Sequence, residues 1–281
     1  IVKIGRTEWQ EAVPITLGTE FSAFAEAIAR DRWRTFKCEE RLRVVNIGGT
    51  AVGTGIAAPR DYIFLVIEKL REATGLGLSR GENILSETAN ADAFVEVSGI
   101  LKSHAANLIK IAGDLRFMNF LGEIRLPQLQ AGSSIMPGKV NPVMAEAAIQ
   151  CGMKVMANDT VVADAASRGT FQINEFLPLL AQAFLESLHM LIRINILLEE
   201  HIRGIEADSG KCEEFFNQSR MIVTALLPAV GYDRALQLLT EFSAGNEKNV
   251  RLFLEEKLGK DIVHKYLSPS ALTALGYRKN G

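Results

Sequence analysis

Apolar residues recur at every third or fourth position along most of the chain, which is the spacing of one face of an α-helix. The longest such segment, residues 87–118, contains no proline and predicts one helix of about 30 residues. A second predicted helix begins near residue 175 and ends at Gly204, because glycine commonly follows a helix C-terminus. A third is predicted to open at Asn141-Pro142, with the asparagine as N-cap, and to run to about residue 166. A shorter helix is predicted over residues 21–36.

Segments that alternate apolar and polar residues between turn signals are nearly absent, so the chain is predicted to be all-α. Its helices are too long and too apolar to be buried within one protomer of 281 residues. We therefore expect a long-helix central bundle that continues across subunits. After Gly204 the helical segments become shorter and more charged. Two domains follow: a central helical bundle over residues 1–205 and a small C-terminal helical domain over residues 206–281.

The composition narrows the class of protein. Apolar residues make up 48% and charged residues 23%, which provides enough apolar surface for a folded core and excludes disorder. The 31 Lys and Arg residues nearly balance the 33 Asp and Glu residues and form no basic block, so no nucleic acid partner is expected. No uninterrupted apolar run approaches about 18 residues, so a membrane-spanning protein is not expected.

Cysteine, histidine and glycine patterns bear on cofactors and on the compartment. Three well-separated cysteines indicate reduced thiols of a cytoplasmic protein rather than a disulfide scaffold or a zinc site. The four histidines have no metal-binding spacing. The glycines of residues 53–55 are not followed by the lysine of a phosphate-binding loop. We therefore expect neither a metal nor a cofactor.

The segment 130–142 carries the chemistry that the rest of the sequence lacks. Two glycines and two serines give it backbone freedom, and Pro137 and Pro142 restrict that freedom at two points. Its backbone amides, Lys139 and the helix N-terminus that follows all favour a bound anion. From residue types alone, the segment is either a mobile lid over a carboxylate or phosphate substrate or a polar surface turn.

Residues 132–146, GSSIMPGKVNPVMAE, resemble the signature loop of the aspartase/fumarase superfamily of lyases. Residues 5–14 resemble the first signature region of that family, and residues 46–55, NIGGTAVGTG, resemble its glycine-rich stretch. The motif 140–142, Val-Asn-Pro, is similar to the fumarase and aspartase branch. Leu126-Pro127 and the Gln-Ala pair before the loop resemble the aspartate ammonia-lyases more than the fumarases.

The resemblance implies an all-α fold and the reversible deamination of L-aspartate to fumarate and ammonia. In this reaction a base removes a proton from Cβ, and the neighbouring carboxylate becomes a doubly charged aci-carboxylate, which needs nearby hydrogen-bond donors. The resemblance makes Ser133 the base and Ser134 a donor to that carboxylate. A serine hydroxyl can act as a base only if its surroundings stabilise its alkoxide.

The same resemblance assigns the other site residues. Lys139 and Asn141 would hold the second carboxylate, and Thr7 would contact that carboxylate or the amino group. Glu146 occupies a position that the family uses for an acidic residue behind the site, although it could instead be a solvated residue of the first helical turn. Glu8 stands where the family usually has His or Gln. We interpret its carboxylate as a partner for the α-ammonium group of aspartate, although it could also repel the dicarboxylate.

Two further expectations come from the resemblance. The similarity begins about a third of the way into a family member, so we expect an N-terminally truncated chain without residues that normally hold the second carboxylate. We also expect a cytoplasmic homotetramer with sites shared between subunits, acting on a small dicarboxylate and needing no membrane. The alternatives are a fumarate hydratase on the same scaffold and a non-catalytic fragment of such an enzyme.

Overall fold

The computed structural model describes residues 1–277; the last four residues of the expected C-terminal domain lie outside the described residues. In chain order the elements are β1 (Val2–Thr7), β2 (Gln10–Thr16), α1 (Leu17–Arg41), β3 (Val44–Val45), α2 (Arg60–Thr74), β4 (Ser79–Arg80), α3 (Ile84–Ala89), α4 (Asp92–Leu121), β5 (Ile124–Arg125), α5 (Val143–Ser167), α6 (Leu177–Arg203), β6 (Glu206–Ala207), α7 (Ser209–Gln218), a 3₁₀ helix (Arg220–Leu226), α8 (Leu227–Ala244), α9 (Val250–Leu258), α10 (Lys260–Leu267) and α11 (Pro269–Thr273).

The predicted long helices and the all-α class are confirmed. α4 has 30 residues and α6 has 27, and both lie where the apolar periodicity placed them. α1 is longer than expected, with 25 residues. α5 also has 25 residues, but it begins at Val143, and its N-cap is Pro142 rather than Asn141. The expected N-cap was therefore wrong by one residue.

The N-terminal β-hairpin was missed by the sequence analysis. β1 and β2 pair antiparallel, with Thr7 opposite Gln10 at the turn and a register irregularity near Gly5. The two turn residues, Glu8 and Trp9, both have positive φ angles, of 51° and 66°. A two-residue turn of this kind normally contains Asn or Gly, and this one contains neither, so the usual hairpin signal is absent.

The described residues form two compact units. The helical unit contains residues 27–116 and 127–204. Its core is a continuous cluster of small, branched and aromatic side chains from α4, α5 and α6: Val97, Leu101, Ala105, Leu108, Ala148, Val155, Val162, Phe184, Leu191 and Ile194. Large apolar side chains also lie exposed on this unit, among them Trp33 at 68% and Phe36 at 66%.

The mixed unit contains residues 1–26, residues 117–126 and the chain from Ile205 onwards. Its core joins Ile4 of the hairpin to the short C-terminal helices through Phe216, Leu226, Leu238 and Leu254. The two units meet along the chain at residues 26/27, 116/117, 126/127 and 204/205. The hairpin and residues 117–126, however, pack with the C-terminal helices rather than with the bundle.

Two segments are long and apolar enough to cross a membrane by length and composition, α6 and residues 220–244. The second is interrupted at Gly231, whose φ and ψ of 74° and 168° are not helical. α6 contributes Leu180, Phe184 and Leu191 to the core of the helical unit, and core helices of globular proteins pass the same test.

Candidate active site

The loop that precedes α5 is held closed by its own backbone. The amide of Gly132 donates to the carbonyl of Lys139 at 2.9 Å, and the side-chain amide of Asn141 donates to the carbonyl of Gly132 at 3.0 Å. A Cβ atom at position 132 would lie 2.4 Å from the Lys139 carbonyl oxygen, so only glycine permits this approach. The two ends of the loop are thereby fixed side by side.

Ser133 lies inside this closed loop and is half-buried. Its Oγ accepts hydrogen bonds from the backbone amides of Ile135, at 3.2 Å, and Met136, at 3.0 Å. Donors that point at an oxygen favour its negatively charged form. The loop therefore supplies two of the interactions that a serine alkoxide requires.

The remaining loop residues predicted for the site are available to a ligand. Ser134 and Lys139 are exposed, and neither side chain makes a hydrogen bond or an ion pair with any described residue. Asn141 is half-buried, and its side chain braces the loop instead of capping α5. The structure thus brings Ser133, Ser134, Lys139 and Asn141 together on one short loop that carries a free cation.

Glu146 lies in the first turn of α5, where a carboxylate is favoured by the helix dipole. Its Oε1 is 3.6 Å from Nη2 of Arg116, and both side chains are partly exposed. An ion pair of this exposure and length contributes little to stability. The pair nevertheless gives Glu146 a specific cationic neighbour, which distinguishes it from a freely solvated helix residue.

Thr7 and Glu8 belong to the mixed unit, at the end of the β-hairpin. Both are exposed, and their side chains make no hydrogen bond or ion pair within residues 1–277. The neighbouring Trp9 packs edge-to-face on Phe117, with 4.5 Å between the ring centroids. The turn is therefore attached by its aromatic residue, while Thr7 and Glu8 remain accessible.

A buried cluster of charges involves β1 of this hairpin, and the sequence analysis missed it. Glu123 is completely buried, with Lys3 Nζ at 3.0 Å from Oε2 and Arg6 Nη1 at 2.7 Å from Oε1. Lys3 also pairs with Glu20 of α1. The carboxylate of Glu123 and, above all, burial raise the pKa of the Cys212 thiol to about 11. Arg6 belongs to the first signature region, but no short spacing links it to Lys3 and Glu123, so the sequence does not reveal that the three meet.

Metal ligands do not group in the described part of the chain: no three His, Cys, Asp or Glu side chains of residues 1–277 lie close enough to hold an ion. The loop before α5 offers two hydroxyls, a side-chain amide and a cation, and the hairpin end offers a hydroxyl and a carboxylate. A family model described as Lyase matches residues 1–157, which is more than half of the chain.

The chain belongs to the aspartase/fumarase superfamily of lyases. Among its relatives are the aspartate ammonia-lyases of Helicobacter pylori, 39% identical over 264 residues, and of Escherichia coli strain K12, 41% identical over 263 residues. Both alignments cover 92% of this chain, but only 56% and 55% of the relatives. The chain thus spans a little over half the length of these curated relatives.

Solved structures of the superfamily have the same fold. A crystal structure of a fumarate lyase:delta crystallin from Brucella melitensis bound to cobalt is 41% identical and has a TM-score of 0.89. It is matched over 96% of this chain and 60% of its own. A class II fumarase from Schistosoma mansoni is 27% identical, with a TM-score of 0.83 over 96% of this chain and 61% of its own.

The superfamily signature regions fall in different units of this chain. Residues 5–14 form the hairpin of the mixed unit, whereas residues 46–55 and 132–146 belong to the helical unit. The site residues expected from the sequence therefore form two groups, one at the hairpin end and one on the loop before α5. Each group has an ordered backbone that presents its polar side chains.

Proposed function

We propose that the complete protein is an aspartate ammonia-lyase, which converts L-aspartate reversibly into fumarate and ammonia. The observation that carries the proposal is the pair of backbone amides that donate to Ser133 Oγ. The aspartate ammonia-lyase relatives, at about 40% identity over most of this chain, support the choice of substrate.

The loop supports a specific order of events. Ser133, as an alkoxide held by the two amides, removes the proton from Cβ of aspartate. Ser134 donates to the carboxylate that gains charge as the aci-carboxylate forms, and Lys139 with Asn141 holds the other carboxylate. Collapse of this intermediate expels ammonia from the neighbouring carbon.

The hairpin end and Glu146 have proposed roles of their own. Thr7 contacts the amino group or the second carboxylate, and the exposed carboxylate of Glu8 attracts the α-ammonium group. Glu146 acts as the acidic residue behind the site, next to Arg116. An ammonium-binding carboxylate suits a lyase that expels ammonia better than one that expels water.

The site is proposed to be shared between the subunits of a homotetramer in the cytoplasm. The exposed apolar side chains of α1 and α6, such as Trp33, Phe36 and Ile192, support a bundle that other subunits cover. The expected substrate is a small dicarboxylate.

Fumarate hydratase is the second candidate, because the class II fumarase of Schistosoma mansoni shares the fold at 27% identity. The two activities differ in the substrate that yields fumarate. Formation of fumarate from L-aspartate supports the first candidate, and formation of fumarate from malate supports the second. A full-length protein that forms fumarate from neither would be a non-catalytic member of the superfamily.

Replacement of Ser133 by alanine tests the proposed mechanism in the full-length protein. A general base contributes about 10²–10⁴-fold to a rate, and we expect Ser133→Ala to lower kcat for L-aspartate by that factor. The absorbance of fumarate measures the rate. The matched control is Ser243→Ala, because the exposed Ser243 hydroxyl bonds only a carbonyl of its own helix, α8. A Ser133→Ala enzyme that works at the control's rate would refute the proposal.

A further inference from the structure

The buried charged cluster of the mixed unit contains two cations and two carboxylates. Lys3 is 1% exposed and Glu123 is 0% exposed, so the two share a site that water does not reach. Glu123 is the central member, because its two oxygens pair with different cations, Arg6 and Lys3. Lys3 has a second carboxylate partner in Glu20, whereas Arg6 has only Glu123 among the described acidic side chains.

Arg6 is held in one orientation by three contacts. Its Nη1 is 2.7 Å from Glu123 Oε1 and 3.4 Å from the carbonyl of Ile4, and its guanidinium lies 5.6 Å from the ring centroid of Phe215. A planar guanidinium that is paired with a carboxylate and placed over an aromatic ring has little freedom to rotate. The backbone at Arg6 is therefore fixed by its side chain.

Thr7 follows Arg6 directly in β1. Successive side chains of a strand point to opposite faces, and Arg6 is partly buried while Thr7 is exposed. The register irregularity between Ile4 and Arg6 lies immediately before this pair, and such irregularities redirect the side chains that follow them. The direction of Thr7, and of Glu8 after it, thus depends on how Arg6 is anchored.

Glu123 is itself attached at three other points. Its amide donates to the carbonyl of Met118 at 3.0 Å, and its carbonyl accepts from the amide of Asp208 at 2.9 Å and from the Cys212 thiol at 3.7 Å. A carboxylate fixed by its own backbone provides a rigid anchor, whereas one on a mobile surface side chain would not. The cluster therefore connects the hairpin to a stable part of the unit.

We propose that Glu123 and Arg6 are positioning residues for the lyase reaction. Glu123 holds Arg6, and Arg6 aims Thr7 and Glu8 at the substrate; the inference rests on the proposed function for the role of the hairpin end. Neither residue touches the substrate. Lys3, which pairs with the same Glu123 but lies four residues before Thr7, has no such role.

Paired substitutions of the two cations test this inference in the full-length enzyme. Arg6→Gln and Lys3→Gln each remove one positive charge from Glu123, so both are expected to lower the thermal unfolding temperature by similar amounts. Only Arg6→Gln is expected to raise KM for L-aspartate by about tenfold, with kcat changed by less than about threefold. Arg6→Lys, which keeps the charge but loses the planar fork, is expected to give an intermediate KM and also covers the case in which Arg6→Gln fails to fold.

A second measurement does not depend on catalysis. Trp9 lies in the turn beside Glu8, and Trp33 is the only other tryptophan, so Trp33→Phe leaves Trp9 as the sole reporter. We expect lower fluorescence anisotropy of Trp9 with Arg6→Gln and an unchanged value with Lys3→Gln.

Two results would overturn the inference. One is an equal change in KM, or in anisotropy, in Arg6→Gln and Lys3→Gln; the other is an unchanged KM with Arg6→Gln. A parent enzyme without aspartate turnover would refute the proposed function instead, and the Trp9 comparison would still decide whether Arg6 holds the turn.

Discussion

Gly152 lies in the middle of α5, the helix that follows the candidate catalytic loop, and is buried against α4. We predict that Gly152→Ala destabilises the protein. A Cβ atom at this position would lie 2.6 Å from Cγ1 and 2.9 Å from Cδ1 of Ile109, and 3.0 Å from the carbonyl oxygen of Ala105. All three distances are shorter than ordinary van der Waals contacts, so a neighbour has to move.

Two opposing effects set the magnitude. Replacing glycine by alanine inside a helix stabilises it by about 0.5–1 kcal/mol. Overpacking a core costs about 1–3 kcal/mol, and here the upper part of that range applies, because the Ala105 oxygen is backbone of α4 and cannot rotate away. The expected net loss is therefore about 1–2 kcal/mol, or a decrease of a few degrees in the thermal unfolding temperature.

Thermal unfolding followed by far-UV circular dichroism, at one protein concentration, measures this difference. The matched control is Gly99→Ala in α4, where a Cβ atom would meet no described atom within 4 Å. The control is expected to stabilise the protein by about 0.5–1 kcal/mol. If Gly152→Ala were as stable as the parent or more stable, the close approach of α5 to α4 could not be as the structure has it.

Three further predictions concern charge and protonation. Glu8→Gln is expected to raise KM for L-aspartate by about tenfold with little change in kcat, and steady-state kinetics that match the parent would remove the ammonium-binding role of Glu8. Burial raises the pKa of the Cys212 thiol to about 11, so iodoacetamide at about pH 8 is expected not to react with it in the native protein. The reagent is expected to label Cys212 after denaturation, and mass spectrometry measures both. Fast labelling of the native protein would contradict this prediction. Burial lowers the pKa of His201, whose ring nitrogens have no partner within residues 1–277, because the folded protein disfavours the charged ring. The free energy of unfolding is therefore expected to keep its full value above about pH 6.5 and to decrease at lower pH, where the unfolded chain binds the proton more readily. His201→Phe is expected to flatten the decrease in unfolding temperature between about pH 7 and pH 5, and a slope equal to that of the parent would exclude His201 as its source.

The helical unit could be predicted from the sequence because its helices are defined by local spacing. Val97, Leu101, Ala105, Leu108 and Ala112 follow one another by three or four residues in α4, and all five are buried. A pattern of this length is produced by one face of a helix and by little else. The element and its buried face therefore follow together from the same observation.

The hairpin could not be predicted in this way, because its stability comes from distant residues. Ile4 is buried against side chains that lie more than 200 positions further along the chain, such as Phe216 and Leu226. Its turn requires positive φ angles at Glu8 and Trp9, which neither residue type favours. Tertiary contacts, such as the packing of Trp9 on Phe117, hold a turn that the local sequence does not select.

The candidate site likewise has features that the sequence predicts and features that only the structure reveals. Its motif residues could be found from the sequence, but the role of Asn141 could not, because an Asn-Pro pair fits an N-cap as well as a brace. The structure places the side-chain amide of Asn141 on the Gly132 carbonyl, and the helix begins two residues later, at Val143. An asparagine that ties the two ends of the loop together affects the path of Ser133 directly, whereas an N-cap would affect only the helix.

Residues that support a site are harder to find in a sequence than residues that contact the substrate. Ser134, Lys139 and Glu8 are exposed polar residues in recognisable motifs, because a ligand must reach them. Arg6 lies in the first signature region, but its partner Glu123 is 117 positions away and by itself resembles an ordinary charged residue. The three-dimensional structure reveals that they form a buried pair. Burial makes the pair rigid, because an unpaired charge there would be strongly unfavourable. In the proposed arrangement, the geometry of the hairpin end depends on Glu123, which no motif marks, so a substitution at Glu123 is expected to raise KM for L-aspartate without altering any signature residue.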